Sequence, residues 1–244
     1  MNAEKKKYLI VTAGGHGTRM GGPVPKQFLT IGEKAVLQLT MEKFLDAVPG
    51  VKVITVLPRT HIGTWKDYCL EHNFVCPQIL VEGGMTRFHS VRNALEKVPE
   101  GTLVAVHDGV RPLVTRELIR KLFSIAENSP AVIPVTPVTD TLKVLERDSE
   151  GLLKPVPGAS ADRSVLFGAQ TPQVFHSDIL KKAYRSAYDT AFTDDASVVE
   201  RMGVPLTYVE GERLNIKITT PEDLVLAKAV YSLPFFCSRE KEVF

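Results

Sequence analysis

Apolar positions along the chain follow two spacings that alternate with each other. Short runs rich in Val, Ile and Leu predict β-strands, and between them apolar residues repeat every three or four positions, which is typical of amphipathic helices. Several runs are almost wholly apolar, as expected of parallel strands that helices cover on both faces. The predicted strands are Tyr8–Thr12, Val53–Leu57, Ile79–Val81, Leu103–Val106, Val132–Thr136 and Leu206–Val209.

Capping residues mark the start of three predicted helices. Thr86 and Thr115 precede periodic apolar runs, and Thr220 is followed by Pro221 and two acids. A threonine hydroxyl can accept the first free N–H groups of a helix, proline suits the first helical position, and acids are favoured in the first turn. Strands alternating with helices predict an α/β fold, Rossmann-like, with a mostly parallel central sheet and helices on both faces.

Residues 137–168 interrupt this alternation. Two extended pieces, Thr141–Glu146 and Leu152–Val156, lie on either side of the turn-forming residues 148–151 and predict a β-hairpin. A hairpin with little core of its own is marginally stable. We therefore expect an inserted arm that packs on a second subunit; a loose surface loop is the alternative. Nothing else divides the chain, so the sequence predicts one domain over residues 1–244.

Composition narrows the function classes. A net charge of +2 argues against a general nucleic-acid or membrane-surface binder, which needs a large positive field. No apolar run approaches the roughly 20 residues of a membrane span, and the first one is too short for a signal peptide. Three cysteines without a CxxC pair suit a reducing compartment. These observations predict a cytoplasmic protein.

A glycine-rich loop follows the first strand and begins Ala13-Gly14-Gly15. Its backbone N–H groups can surround phosphates, although the loop alone is equally compatible with a structural turn. A dinucleotide fingerprint fails because Met20 stands at its third glycine, and no lysine follows the last glycines as a P-loop requires. Arg19 within the loop and Lys26 after it suit a triphosphate undergoing displacement, because cations neutralise the charge that develops there.

The fourth predicted strand runs into His107-Asp108. Ligands of open α/β sheets bind beyond the carboxyl ends of the strands, so Asp108 is well placed to hold Mg²⁺ together with substrate phosphates. His107 has two interpretations, a general base or a structural histidine.

These motifs resemble those of a known family. The pattern A-G-G-x-G-x-R-M followed by P-K-Q is similar to the signature of sugar-nucleotide-type nucleotidyltransferases. More narrowly, the chain from about Tyr8 to Tyr231 resembles the 2-C-methyl-D-erythritol 4-phosphate cytidylyltransferase family. The resemblance implies that a phosphate oxygen of methylerythritol phosphate attacks the α-phosphorus of CTP and that pyrophosphate leaves. Such an oxygen is already ionised, which favours a structural role for His107. The resemblance further implies Mg²⁺ and a homodimer through the arm.

The resemblance also implies which residues act. The implied catalytic residues are Arg19, Lys26, Arg163 and Lys217, with Asp108 at the metal. The implied CTP-binding residues are Ala13, Gly14, Gly15, Gly83, Arg87, Ser90 and Asp108; the family often has an acid at the position of Met85. The implied residues for the second substrate are Asp108, Arg111, Thr141, Arg163, Thr171, Thr193 and Lys217, of which Thr141 and Arg163 reach the neighbouring subunit.

Thr193 and Lys217 lie in segments whose sequence pattern also predicts local secondary structure. Residues 193–197, Thr-Asp-Asp-Ala-Ser, predict a helix N-cap with an acidic first turn. Residues 215–219 alternate apolar and polar positions and predict a strand that carries Lys217.

Three alternatives stay open at this point. Ribitol 5-phosphate cytidylyltransferases share the glycine loop, P-K-Q and N-I-K-x-T, but residues 140–143 and 162–164 of the arm resemble the methylerythritol branch more closely. A catalytically silent nucleotide-binding module is weakened by the presence of Arg19, Lys26, Asp108 and Lys217. A nicotinamide oxidoreductase is disfavoured by Met20.

Overall fold

The structure, a computed structural model, describes residues 5–14 and 24–233. The strands in this part of the chain are β1 (Lys7–Thr12), β2 (Thr30–Ile31), β3 (Lys34–Ala35), β4 (Lys52–Leu57), β5 (Gln78–Glu82), β6 (Leu103–Asp108), β7 (Ala131–Pro137), β8 (Leu145–Arg147), β9 (Leu153–Pro155), β10 (Phe167–Ala169), β11 (Gln173–His176) and β12 (Thr207–Glu210). The α-helices are α1 (Val36–Ala47), α2 (Arg59–Glu71), α3 (Arg87–Leu95), α4 (Arg116–Ala126), α5 (Ser177–Ala183), α6 (Asp195–Glu200) and α7 (Pro221–Tyr231).

One eight-stranded sheet organises these described residues. Its order is β10-β7-β11-β6-β1-β4-β5, and β12 also pairs with β7. Pairs around β1 and β4 are parallel, as is β7 with β12, whereas β10 and β11 run antiparallel to their neighbours. The predicted Rossmann-like, mostly parallel sheet is confirmed, and each of the six predicted strands is present within two residues of its predicted bounds.

Helices cover both faces of the sheet, as predicted. Since side chains of a strand alternate between faces, Leu9 and Val11 join the cluster that contains α1 and α4, while Ile10 joins the cluster that contains α3, α5 and α6. A third, smaller cluster joins α7 to the hairpin of β2 and β3.

All three predicted N-caps are confirmed. The hydroxyl groups of Thr86, Thr115 and Thr220 each accept a hydrogen bond from a backbone N–H in the first turn of α3, α4 and α7, respectively. Thr220 also forms a capping box with Asp223, with Pro221 in the first turn. Helix α3 therefore starts directly after the turn that follows β5.

The arm is a hairpin, although its strands are shorter than predicted. β8 and β9 pair antiparallel around a turn in which Gly151 has a φ of 83°. β10 then returns the chain to β7, which fixes the base of the arm on the sheet. Every residue of β8 and β9 is exposed, including Leu145 and Leu153. The arm thus presents apolar side chains without a core beneath them.

One local prediction was wrong, and another is confirmed. Residues 215–219 form no strand, because their polar groups bond to other loops: Arg111 donates to the Asn215 carbonyl and Ile218 N–H donates to the Val110 carbonyl. The helix N-cap and acidic first turn predicted at residues 193–197 are confirmed. The cap is Asp194, whose carboxylate accepts from Ser197 N–H, Asp195 is the acid of the first turn, and the exposed Thr193 lies one residue before the cap.

Candidate functional site

The carboxyl ends of the central strands surround a cavity of about 210 Å³. Ala13 and Gly14 follow β1, Asp108 ends β6, and Thr12 lies opposite Asp108 in the sheet register. The segment between β5 and α3 forms a second wall, Lys26 approaches from a short 3-10 helix (Lys26–Phe28), and Lys217 approaches from a loop. A neighbouring cavity of about 240 Å³ shares Gly14, Gly84 and Ser90 with the first, so the cleft continues along the edge of the sheet.

Asp108 lies at the centre of a cluster of cations. Its Oδ2 is 3.1 Å from both the Arg111 Nε and the Lys217 Nζ, and its Oδ1 is 3.7 Å from the Arg87 Nε. Burial alone would raise the pKa of Asp108, but Arg87, Lys217 and Arg111 together hold it well below its ordinary value. The carboxylate is therefore ionised, and the cavity carries an excess of positive charge suited to anions.

The three cations differ in how firmly the fold holds them. Arg87 donates to Asp195 at 2.6 Å, and Arg111 donates to the Asn215 carbonyl at 2.7 Å. The Lys217 side chain is 40% exposed, and Asp108 is the carboxylate it pairs with among the described residues. Lys217 is therefore the cation that can transfer to a bound anion with the least disturbance of the fold.

A buried ion pair anchors Arg87 from behind. Asp195 is fully buried at the start of α6 and also accepts a hydrogen bond from the Tyr184 hydroxyl at 2.5 Å. Burial alone would lower the pKa of Arg87, but Asp195 and Asp108 raise it above its ordinary value. Arg87 is permanently cationic and is fixed in direction by its two acidic neighbours.

Thr171 and His107 support Asp108 on the side away from the cavity. The Thr171 hydroxyl accepts from Asp108 N–H at 3.1 Å and lies 3.0 Å from His107 Nδ1. Burial lowers the pKa of His107 to about 3. A neutral ring can accept the Thr171 hydrogen at Nδ1 and direct Nε2–H toward the Arg111 carbonyl at 3.4 Å. This geometry favours a structural His107, and it commits the Thr171 hydroxyl to the fold; the role of Thr171 in substrate binding stays a prediction.

The turn between β5 and α3 is rigid. Ser90 Oγ accepts from Gly84 N–H and donates to the Thr86 carbonyl, both at 3.0 Å. A Cβ on Gly84 would lie 2.4 Å from that of His89, and one on Gly83 would lie 3.3 Å from Ser90 Oγ. Both glycines therefore allow close backbone approach, and the backbone groups of this turn are held in fixed directions.

Gly84 and Gln27 are among the lining residues that the sequence did not assign to the site. Gly84 lies on the cavity wall beside the predicted Gly83, and its position in the G-G pair was the available signal. Gln27 is 1% exposed, and neither polar atom of its side chain has a hydrogen-bond partner among the described residues. A buried, unpaired amide at the cavity wall is a group that a polar ligand can satisfy. Nothing in the P-K-Q motif alone distinguished Gln27 from its neighbours.

Of the remaining predicted residues, those that the structure describes lie apart from this cavity. Gly15 and Arg19 are outside the described residues, so their roles stay predictions. Thr141 and Arg163 are exposed on the arm, where Arg163 donates to the Thr139 carbonyl at 2.8 Å. Neither residue lines the cavity of its own chain. Contact with a neighbouring subunit's cavity is the arrangement that would bring them to a substrate.

A larger cleft of about 700 Å³ lies at the opposite, amino end of the strands. Lys5, Lys52 and Arg120 line it, and the C-terminal ends of α1 and α4 face it. Arg120 donates to the Ala47 carbonyl at the end of α1. The cations of this cleft have a structural role, because they complement the free carbonyl groups at the helix ends. The smaller cavity around Asp108 is therefore the better candidate site.

The described residues contain no cluster of three or more His, Cys, Asp or Glu side chains that could hold a metal. Among the described residues that line the cavity, Asp108 is the one carboxylate, and its Oδ2 is the oxygen engaged at short range. A lone carboxylate of this kind would suit Mg²⁺ that is bound mainly by phosphate oxygens. No helix within residues 5–14 and 24–233 is long and apolar enough to cross a bilayer.

Comparison with protein families gives a match over most of the chain. The model of the family described as IspD, 2-C-methyl-D-erythritol 4-phosphate cytidylyltransferase, matches residues 8–232. Curated proteins of that name from Bacteroides thetaiotaomicron and Porphyromonas gingivalis strain W83 are 47% and 45% identical to this chain. Each alignment covers 92% of this chain, with 99% and 97% of the relative, respectively.

Solved structures agree with the sequence comparison. The crystal structure of 2-C-methyl-D-erythritol 4-phosphate cytidylyltransferase from Thermus thermophilus aligns with a TM-score of 0.72 and 33% identity, covering 95% of this chain and all of that one (100%). The crystal structure of 4-diphosphocytidyl-2C-methyl-D-erythritol synthase from Anaerococcus prevotii aligns with a TM-score of 0.74 and 29% identity. The alignment covers 94% of this chain and 97% of that one.

Proposed function

Since the chain belongs to the 2-C-methyl-D-erythritol 4-phosphate cytidylyltransferase family, we propose that it transfers CMP from CTP to that polyol phosphate in the cavity around Asp108. The product is 4-diphosphocytidyl-2-C-methyl-D-erythritol, an isoprenoid precursor. The observation that carries the proposal is the convergence of Arg87, Arg111 and Lys217 on one buried carboxylate beside a rigid glycine turn.

The reaction is an in-line displacement at phosphorus. An ionised oxygen of methylerythritol phosphate forms a bond to the α-phosphorus of CTP, and the bond from that phosphorus to the bridging oxygen of pyrophosphate breaks. The nucleophile needs no base, and no covalent enzyme intermediate is required. Catalysis then consists of positioning two polyanions and stabilising the charge that develops between them.

The cations divide this work according to how they are held. Lys217 leaves Asp108 for the attacking phosphate, because Asp108 is the carboxylate that restrains it. Arg87 and Arg111 stay with the fold and keep Asp108 ionised as Lys217 departs. Lys26 lines the same cavity and faces the α-phosphate and the departing pyrophosphate, a task that it shares with Arg19 in this proposal.

Mg²⁺ is the proposed cofactor. Bound with the triphosphate and held on the protein side by Asp108, it supplies positive charge that offsets the repulsion between the two substrates. Asp108 thereby has two uses, as an anchor for Lys217 before substrates bind and as a metal ligand once they are present.

The proposed enzyme is a homodimer that exchanges its arms. Leu145, Leu152 and Leu153 are 43%, 59% and 56% exposed on a hairpin that lacks its own core, which supports a partner surface for them. Arg163 bonds to the Thr139 carbonyl at the base of this arm and does not line its own cavity. Its guanidinium can donate two hydrogen bonds to a phosphate monoester of the neighbouring subunit, and Thr141 is the second residue of the arm proposed to contact that phosphate.

We place the reaction in the cytoplasm, without nucleic-acid or membrane partners. Cys69 and Cys76 are free thiols, and burial raises the pKa of Cys76 to about 11, so it is an unreactive thiol. A net charge of +2 is small for a polyanion-binding surface, and the cations that matter for CTP are concentrated in one cavity.

Pyrophosphate release with different acceptors tests the proposed function. The purified protein is incubated with CTP and Mg²⁺ and with either 2-C-methyl-D-erythritol 4-phosphate or ribitol 5-phosphate, and the diphosphate product is identified by ³¹P spectroscopy. We expect turnover with the methylerythritol substrate and its loss when EDTA removes the metal. Preference for ribitol 5-phosphate would overturn the assignment, and absence of turnover with either acceptor would favour a silent nucleotide-binding module.

A further inference from the structure

We propose that Gln170 and Gln173 are positioning residues of the active site, Gln170 for Lys217 and Gln173 for Arg87. The two glutamines flank Thr171 and Pro172 between β10 and β11, behind the cavity rather than on its wall. The proposal rests on the proposed function, because it concerns how the cations of that reaction are held in place.

Gln170 clamps the loop that carries Lys217. Its side-chain amide donates to the Glu212 carbonyl at 2.8 Å and accepts from Glu212 N–H at 3.1 Å, so it bonds to both backbone groups of one residue as a neighbouring strand would. Gly211 lies against it, and a Cβ there would be 2.6 Å from Gln170 Oε1. The amide is therefore fitted closely to this loop.

The loop depends on such contacts because it has no regular structure of its own between Gly211 and Thr219. Asn215, the next fixed point, donates to the Thr171 carbonyl at 2.8 Å and accepts from Arg111 through its own carbonyl. Lys217 follows two residues later. Gln170 and Thr171 together set the path of the chain that brings the Lys217 ammonium group to Asp108.

Gln173 makes the corresponding clamp on the start of α6. Its amide is 1% exposed, donates to Asp194 Oδ2 at 2.7 Å and accepts from Ala196 N–H at 2.9 Å. The residue between these two partners is Asp195, the buried carboxylate that orients Arg87. Gln173 therefore fixes the backbone from which Asp195 reaches Arg87.

Residues 170–173 thus touch three separate parts of the site. Gln170 holds the Lys217 loop, the Thr171 hydroxyl bonds to the backbone of Asp108, and Gln173 holds the helix that positions Arg87. Because a displacement of about 1 Å in a positioned group can cost on the order of a hundredfold in rate, we expect each clamp to affect catalysis through its own cation.

Methionine variants test the two clamps. Gln170→Met and Gln173→Met nearly conserve side-chain volume and remove all the hydrogen bonds of each side-chain amide. We expect Q170M to lower kcat by about tenfold or more with the KM for CTP nearly unchanged, and Q173M to raise the KM for CTP by about tenfold. Hydrogen exchange should speed up in residues 210–217 of Q170M and in residues 193–198 of Q173M.

Gln78→Met is the matched control. The Gln78 amide accepts from Thr55 Oγ1 at 2.7 Å and from Trp65 Nε1 at 3.0 Å, at the amino end of β5 and away from the cavity. The Gln78→Met variant loses hydrogen bonds of the same kind, so it reports the cost of losing such bonds outside the site. We expect Q78M to lower Tm and to leave both kinetic parameters within twofold of the wild type.

Double variants separate positioning from general destabilisation. Q170M should change kcat by less than twofold in a Lys217→Ala background, and Q173M should change the KM for CTP by less than twofold in an Arg87→Lys background. Full additivity in either pair, or wild-type kinetics in both single variants, would overturn the proposal.

If a methionine variant fails to fold, the corresponding glutamate variant, which cannot donate when ionised, replaces it. Wild-type turnover is measured alongside, so failure of the clamps and failure of the proposed function are distinguishable.

Discussion

At the residue scale, the sequence placed Asp108 correctly but could not show its surroundings. A polar residue at the end of an apolar run predicts a position at the carboxyl edge of a sheet, and Asp108 is there. Its cations come from residues 87, 111 and 217, which are too far apart in sequence for any local pattern to pair them. The anchors Asp195 and Gln170 were missed for the same reason.

The buried His107 gives a prediction for stability against pH. Its pKa is lowered to about 3 by burial, whereas an unfolded histidine titrates near 6.5. Below about pH 6.5 the unfolded chain therefore binds a proton at His107 that the native state does not bind. The free energy of unfolding falls as the pH decreases toward the folded pKa. At pH 5 this costs about 2 kcal/mol.

Chemical unfolding between pH 7 and pH 5 checks the histidine prediction. A His107→Gln variant should lose less free energy of unfolding over this interval than the wild type. The control is His72→Gln, which replaces an exposed histidine ring at the end of α2. Equal slopes for H107Q and the wild type would show that His107 is not the titrating group.

At the element scale, helix starts were predictable and the Lys217 loop was not. Capping is a local interaction, so Thr86, Thr115 and Thr220 could be assigned from the residues that follow them. Residues 215–219 alternate like a strand, but β12 already occupies the place beside β7, and tertiary hydrogen bonds fix the segment as a loop instead. Alternation alone cannot show whether a neighbouring strand is available.

The capping box of α7 fixes the far end of this loop. Asp223 accepts hydrogen bonds from Thr219 N–H, the Thr219 hydroxyl and Thr220 N–H, at 2.8, 2.6 and 2.8 Å. Burial alone would raise the pKa of Asp223, but these hydrogen bonds lower it. Its contribution to stability is therefore complete above the unfolded pKa of about 3.9 and is lost as the pH falls through the folded pKa.

An Asp223→Ala variant should be less stable than the wild type at pH 7 by about 1 kcal/mol, the usual scale for a lost cap. The difference in stability should shrink as the pH falls below about 4, because the Asp223 carboxyl group becomes protonated first in the unfolded state and then in the folded state. Glu222→Ala, on the exposed side of the same turn, is the control and should change stability less. A difference that is independent of pH would rule out the carboxylate as its source.

At the scale of the whole molecule, the fold class and the arm followed from the spacing of apolar residues, whereas β11 did not. β11 is four residues long and inserts antiparallel between β6 and β7, an order that no pattern along the chain specifies. No pattern in a single sequence specifies the surface against which the arm packs, either. The proposed exchange of arms gives each site residues from two chains.

Mixed dimers test this shared site. Arg163→Ala and Lys217→Ala homodimers should both be nearly inactive, since each lacks one cation at every site. A hybrid dimer has one site that lacks both and one that lacks neither, so a random mixture should recover about a quarter of wild-type activity. Subunits are mixed by co-expression with different affinity tags. Activity that never exceeds the mean of the two separate variants would contradict the exchange.

The central claim is that cations gathered on Asp108 drive transfer at phosphorus, and Lys217 tests it most directly. The measurement is kcat for pyrophosphate release from CTP and methylerythritol phosphate in Lys217→Ala, with Tm recorded for the same preparation. The control is Lys52→Ala, an exposed lysine of the cleft at the opposite end of the sheet. We predict a loss of about a hundredfold or more in K217A and wild-type turnover in K52A. Wild-type turnover in a folded K217A protein would contradict the account.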